Sequence, residues 1–198
     1  MQLKSIIISV FLAFKSSHQI MAIDITAYVA QLSGELDNNA YKASDSLGRI
    51  GSEEVVKAMI ELLNHPNKES RFLAARTLGL VDKNDEALVP ILEAVKNSEN
   101  SAIAGDIMIE LEGFDVSSIY VELFKLYLFG SFKISMVAKD LLDHKEFTIT
   151  PRVLKKSQIH WNHYSNNVKQ DEVYMLRKIE VEEMLNDLKA FVVGSEEN

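Results

Sequence analysis

The stretch Arg71-Phe-Leu-Ala-Ala-Arg-Thr-Leu-Gly-Leu-Val81, RFLAARTLGLV, decides how the rest of the chain is read. Two adjacent alanines stand three and four residues before Leu78, and a glycine follows it. Small side chains at that helical offset let a second helix backbone approach closely, and the leucine fills the groove left by the approach. Met once, such a stretch is a surface helix with a glycine stop. Met at a fixed period, it is one unit of an array, so repeats are sought before anything else.

The period is present. Leu47 lies 31 residues before Leu78 and Ile109 lies 31 after it. The small pairs keep step: Ala43-Ser44, Ala74-Ala75 and Gly105-Asp106. Gly51, Asp82 and Gly113 each fall four residues beyond an anchor, where glycine, or less easily aspartate, takes the left-handed conformation that ends a helix. Ser52, Asn84 and Ser117 then offer side-chain oxygens to cap the next helix. The second helices share an apolar i, i+4, i+7 stripe: Val56, Ile60 and Leu63; Leu88, Leu92 and Val95; Ile119, Leu123 and Leu126. A weaker fourth unit carries Val137-Ala138 and Leu141-Leu142, with Thr150-Pro151 as cap and first position of its second helix.

Arg71-x-x-Ala74-Ala75-x-x-Leu78-Gly79, followed by a short turn and an amphipathic helix, resembles the HEAT repeat. More closely, it is similar to the short HEAT-like repeats of bilin-lyase-type proteins and many bacterial scaffolds. At the level of period the resemblance covers roughly residues 38–160. The second unit matches well. The first has Leu47-Gly48 but Ala40 where the arginine belongs, and the third and fourth are degenerate. The resemblance implies an all-α fold, a right-handed α-α superhelix of about four helix pairs in which each pair contacts only its neighbours. It also implies that the second helices line a concave binding wall. The expected organisation is a solenoid over residues 21–166 and a capping helix with a short tail over residues 167–198.

On that wall the outward stripe is Lys57, Glu61 and Asn64 on one helix, then Val89, Glu93 and Lys96, then Tyr120, Phe124 and Tyr127. Three aromatics in a row suit the anchoring of a partner, because Tyr and Phe offer large contact area at small entropic cost. The alternative, which is favoured, is burial under the carboxy-terminal segment. The helix SSIYVELFKLYLF is apolar on more than one side, and Val173, Leu176, Val181, Leu185, Leu188 and Val192 provide a cover.

Composition narrows the function. The chain has 198 residues, a net charge of -8, and no cysteine, which excludes disulfides, thiolate zinc sites and cysteine nucleophiles. The acidic balance argues against nucleic acid or an anionic membrane as partner. Charge is also uneven: residues 24–117 hold 17 acids against 8 bases, and residues 118–198 hold 12 against 11. A basic protein is therefore the partner most easily recruited by the amino-terminal part. Asp106, Glu110, Glu112 and Asp115 gather acid at the third first-helix and its turn, and are read as a solvated face.

The opening MQLKSIIISVFLAFKSSHQIM pairs Lys4 with the apolar run Ile6–Phe14, as a short secretory signal does, but lacks a well-formed cleavage site. A translation start at Met21 is preferred, so residues 1–20 stay outside the fold and the expected location is cytoplasmic; a genuine signal would make it secreted or periplasmic. His160 and His163 in QIHWNHYSNN share a helix face, yet the His-Glu-x-x-His pattern is missing, and Trp161 is expected to pack within the last helix pair. Neither a phosphate-binding glycine loop nor a GxSxG elbow occurs, so no cofactor, metal or catalytic residue is expected. The expected function is a non-enzymatic protein-protein interaction or scaffold module. One alternative is an immunity or inhibitor protein against a basic toxin. A further one, suggested by repeat type alone, is a bilin lyase-like activity.

Overall fold

The computed structural model describes residues 25–34 and 37–196, and among them every regular element is helical. Residues 1–20, with the signal-like run and the start at Met21, lie outside the described residues. The chain divides into two compact units, with the boundary between Phe114 and Asp115.

The first unit contains α1 (residues 25–33), α2 (Asn38–Ile50), α3 (Glu53–Leu62), α4 (Lys68–Leu80), α5 (Leu88–Lys96) and α6 (Ala104–Ile109). A 3-10 turn precedes α5, another separates α5 from α6, and a third, Glu110–Gly113, extends α6. The helix α4, which carries the deciding stretch, packs on α2 on one side and on α6 with its extension on the other. Its alanines do what small residues at that offset are for: Ala43, Ala74, Ala75, Leu47 and Leu78 are all essentially inaccessible. Between α2 and α4 the contact is partly polar, with Thr77 Oγ1 donating to Ser44 Oγ at 2.9 Å.

Three glycines mark where backbones touch. Gly51 ends α2 at φ 54°, as expected. Gly79 and Gly113 face each other instead: a Cβ on Gly79 would lie 2.8 Å from the Glu110 carbonyl oxygen, and one on Gly113 would collide with the Gly79 carbonyl. Gly113 thus serves close approach and not a left-handed stop. In the second repeat's slot the left-handed residue is Lys83, φ 56°, one beyond the expected Asp82.

Ser52 caps α3 by accepting from the Val55 N–H. Asn84 does not cap: its amide donates to the Leu78 carbonyl at 3.2 Å, closing the end of α4. Nor does Ser117 cap α7; its N–H is taken by Asp115, and its carbonyl accepts from Thr148 N–H.

The third repeat is shifted by one residue. Met108, not Ile109, is the buried anchor, with Ala104, Ile107 and Leu111 completing its stripe, while Ile109 is 43% exposed. A face centred on Ile109 would turn Asp106, one helical turn earlier, toward the core, and burying a carboxylate costs more than exposing one isoleucine.

The second unit contains α7 (Tyr120–Phe129), α8 (Phe132–His144), α9 (Pro151–Asn167) and α10 (Glu172–Glu196). Thr150 caps α9 with Pro151 at its start, and Ala138, Leu141 and Leu142 are buried on α8. On α7 the buried stripe is Tyr120, Leu123, Phe124, Tyr127 and Leu128, again one residue off the expected Ile119 and Leu126. α10 buries Tyr174, Val181, Leu185, Leu188 and Val192. Val173 and Leu176, expected in that cover, are 65% and 67% exposed. Stepping back from Val181 by whole turns reaches Arg177 and Tyr174, whereas the five-residue gap from Leu176 is not a helical spacing. The carboxy-terminal helix lies within this second compact unit, residues 115–198.

Candidate protein-binding wall

Within the first unit, α3 and α5 present the outward stripe. Glu53 and Glu54 occupy the first turn of α3, where the helix dipole favours acid. Val55, Val56, Met59 and Leu62 turn inward, leaving Lys57, Glu61 and Asn64 exposed one and two turns apart. On α5, Leu88, Ile91, Leu92 and Val95 are buried, and Val89, Glu93 and Lys96 face out, Val89 at 60% exposure. A cleft of about 310 Å³ runs between the two helices, lined by Ile60, Leu63, Asn64, Pro90, Glu93 and Asn97. Its lining is mainly polar, with the Glu93 carboxylate and the Asn64 and Asn97 amides, and Ile60, Leu63 and Pro90 add smaller apolar surface. Of the expected residues, Asn64 and Glu93 line this cleft directly, and Lys57, Glu61 and Lys96 stand exposed on the same two helices. Lys57 is held by Glu53 one turn earlier, and that partner keeps its amine above and the carboxyl below their ordinary ranges.

Arg71 sets the spacing of these helices. It is buried, in the first turn of α4, and reaches no carboxylate. Its guanidinium donates to the His65 and Pro66 carbonyls at 2.7 and 3.0 Å, to the Glu99 carbonyl at 3.2 Å, and to Asn100 Oδ1 at 2.6 Å. Asn100 in turn donates to the Ala94 carbonyl at 2.9 Å. These acceptors follow the carboxy-terminal ends of α3 and α5, where helix dipoles present partial negative charge. One side chain with five fixed donors therefore ties both wall helices at the same end. The sequence reading quoted Arg71 as part of the repeat but gave it no role, and missed Asn100. A signal existed: Arg71 stands in register with the buried Ala74, Ala75 and Leu78, and a charge at such a position requires acceptors.

The aromatic set stands elsewhere. Tyr120, Phe124 and Tyr127 are 6%, 0% and 3% exposed inside the second unit, so they offer a partner no face. Their rings follow one another along α7 at 6.2 and 6.5 Å, and the Tyr127 hydroxyl donates to Glu180 on α10. Packing of α7 against α8 and α9, with α10 meeting Tyr127 through Glu180, removes them from the surface.

Glu110 is the acid of the Asp106–Asp115 set that differs from a solvated face. Burial pushes its carboxyl above the usual range, Arg76 opposes the shift, and Asp106 adds to it. Arg76 itself pairs with Asp45 at 2.5 Å. Trp161 is buried against Tyr174 and Tyr164, with ring centroids 6.0 and 5.8 Å away. His163 on the same helix lies 5.9 Å from the Phe129 ring, and burial, with Lys125 adding, holds His160 below its ordinary range. Among the described residues no group of three or more His, Asp or Glu is placed to hold a metal ion, and no helix is long and apolar enough to cross a membrane.

Compared with known proteins, residues 25–111 match the family model of HEAT repeats. The match takes in α1 to α6, and with them both wall helices and Arg71. HEAT repeats generally mediate protein-protein interaction. No curated protein and no solved structure matches the chain.

Proposed function

From a chain whose residues 25–111 are HEAT repeats, we propose a non-enzymatic module that binds a basic protein segment along the α3–α5 cleft. The observation that carries this is the cleft itself: a mainly polar lining to which Asn64, Glu93 and Asn97 contribute, with Ile60, Leu63 and Pro90 between them and Glu61 exposed on the adjoining turn. Carboxylate and amide groups along a cleft suit a partner segment whose lysines or arginines meet the carboxylates and whose backbone meets the amides. The acidic balance of the amino-terminal part extends the same sign of potential beyond the cleft and steers a basic partner toward it.

The test is a pull-down with wild-type bait and with the Glu61→Lys, Glu93→Lys double variant. Both positions are exposed, so the variant keeps its helical spectrum and melting behaviour. Partners that depend on the wall are lost from the variant, and their binding to wild type weakens with salt. A partner captured equally by both baits places the site off this wall.

A further inference from the structure

The second unit holds a cavity unlike the cleft of the first. It measures about 330 Å³ and lies among α7, α8, the segment that follows α8, and α10. Tyr120 and Phe147 meet edge to face in its wall, centroids 5.1 Å apart and planes at 89°. Leu142 and Leu188 supply aliphatic surface, and Phe191, more than half exposed, stands at the opening. Two carboxylates, Asp143 and Asp187, complete the lining.

The charges decide what this cavity suits. Asp143 is already paired with Lys139 at 2.5 Å. Asp187 has no ion-pair partner among the described residues. The Tyr120 phenol is pushed up by burial and by the negative field of both aspartates. A neutral apolar guest would leave Asp187 without a counter-charge, and an anion would be repelled. A bare divalent metal ion needs six or more oxygens, which two carboxylates in an aromatic wall do not provide. A cation with an apolar body satisfies both halves of the site: its substituents take the aromatic and aliphatic surface, and its charge faces Asp187.

We propose that this cavity binds a small organic cation, an ammonium ion carrying apolar substituents. The site is independent of the α3–α5 wall, and its volume is that of a small-ligand pocket. Choline is a suitable probe, because 3,3-dimethylbutan-1-ol has the same shape without the charge. Titration of the full chain is followed by methyl NMR at Leu142, Ile149, Met184 and Leu188, which line the cavity. Choline shifts these signals saturably and binds about tenfold more tightly than the neutral isostere, a difference of about 1.4 kcal/mol. In Asp187→Asn, an exposed position whose change leaves the spectrum dispersed, choline loses about that factor and the two probes become equal. Equal affinity of both probes for wild type, undiminished choline binding in Asp187→Asn, or no saturable shift with choline would each overturn the assignment.

Discussion

Replacing Arg71 by methionine removes the guanidinium while keeping a long apolar stem in the same space. Four hydrogen bonds disappear: those to His65, Pro66, Glu99 and Asn100. Bonds to a charged donor are worth about 1.5–3 kcal/mol each in isolation, but they do not sum. Burying the guanidinium costs several kcal/mol of hydration, which methionine does not incur. What remains is the penalty for the acceptors left behind. Pro66 and Glu99 are exposed residues whose carbonyls water re-solvates, whereas Asn100 is buried and loses its strongest partner. The expected loss is about 2–4 kcal/mol, read from urea unfolding by far-UV circular dichroism. Arg71→Lys, with a point charge in place of a fork, recovers only part of it. Since Arg71 and Asn100 act as one clamp, the double variant with Asn100→Ala shows a coupling of about 1–3 kcal/mol, and amide exchange rises at the ends of α3 and α5. A loss below about 1 kcal/mol, or strict additivity with Asn100→Ala, would refute the clamp as the element that spaces the wall.

Two further outcomes check the register and the buried acid. Leu78→Ala and Met108→Ala should each cost about 2–5 kcal/mol, and Ile109→Ala almost nothing; an Ile109 loss matching Met108 would restore the uninterrupted period of 31 residues. Glu110 has a folded pKa above its unfolded one, so the folded state holds the extra proton. Its contribution is full below the ordinary carboxylate range and is lost as pH rises through the raised value. Glu110→Gln should therefore gain stability over wild type between about pH 3 and pH 7, tracked by thermal melts at each pH. A difference between the two proteins that does not change with pH would show that burial does not govern this carboxyl.

Much of the fold was legible because three signals agreed in phase through the first two units. Small pairs, anchors and second-helix stripes all pointed to the same buried faces, and Leu47, Leu78, Val56 and Leu92 lie where that agreement put them. Phase was lost where only one signal remained. In the third repeat the step of 31 favoured Ile109, while the cost of burying Asp106 favoured Met108, and the cost of burying charge prevailed. Caps failed for a related reason. Asn84 has the right chemistry to cap α5, but the open Leu78 carbonyl offers its amide a buried bond. The exposure of Lys57, Glu61, Asn64, Glu93 and Lys96 was readable because solvated helix faces follow from the buried ones. The clamp beneath them was not readable, because its acceptors are carbonyls, which every residue has.

The second unit shows that the clamp answers a physical need and not a sequence slot. α7 ends against α8 and α10, and its last carbonyls cannot all reach water. Arg177 on α10 donates to the Tyr127 and Leu128 carbonyls at 2.8 and 3.2 Å and to Ser135 Oγ at 2.8 Å, while Ser135 donates to the Tyr127 carbonyl. Its guanidinium also lies 4.6 Å from the centroid of the Tyr127 ring. This is the task of Arg71, done for another helix end by an arginine some fifty residues further along the chain. In the first unit the donor arrives from α4, the helix of the best-matching repeat. In the second it arrives from the closing helix, so no period predicts it. Repetition in sequence therefore fades after residue 114 while the demand that shaped it persists: buried helix ends need donors, and a guanidinium fork meets several at once.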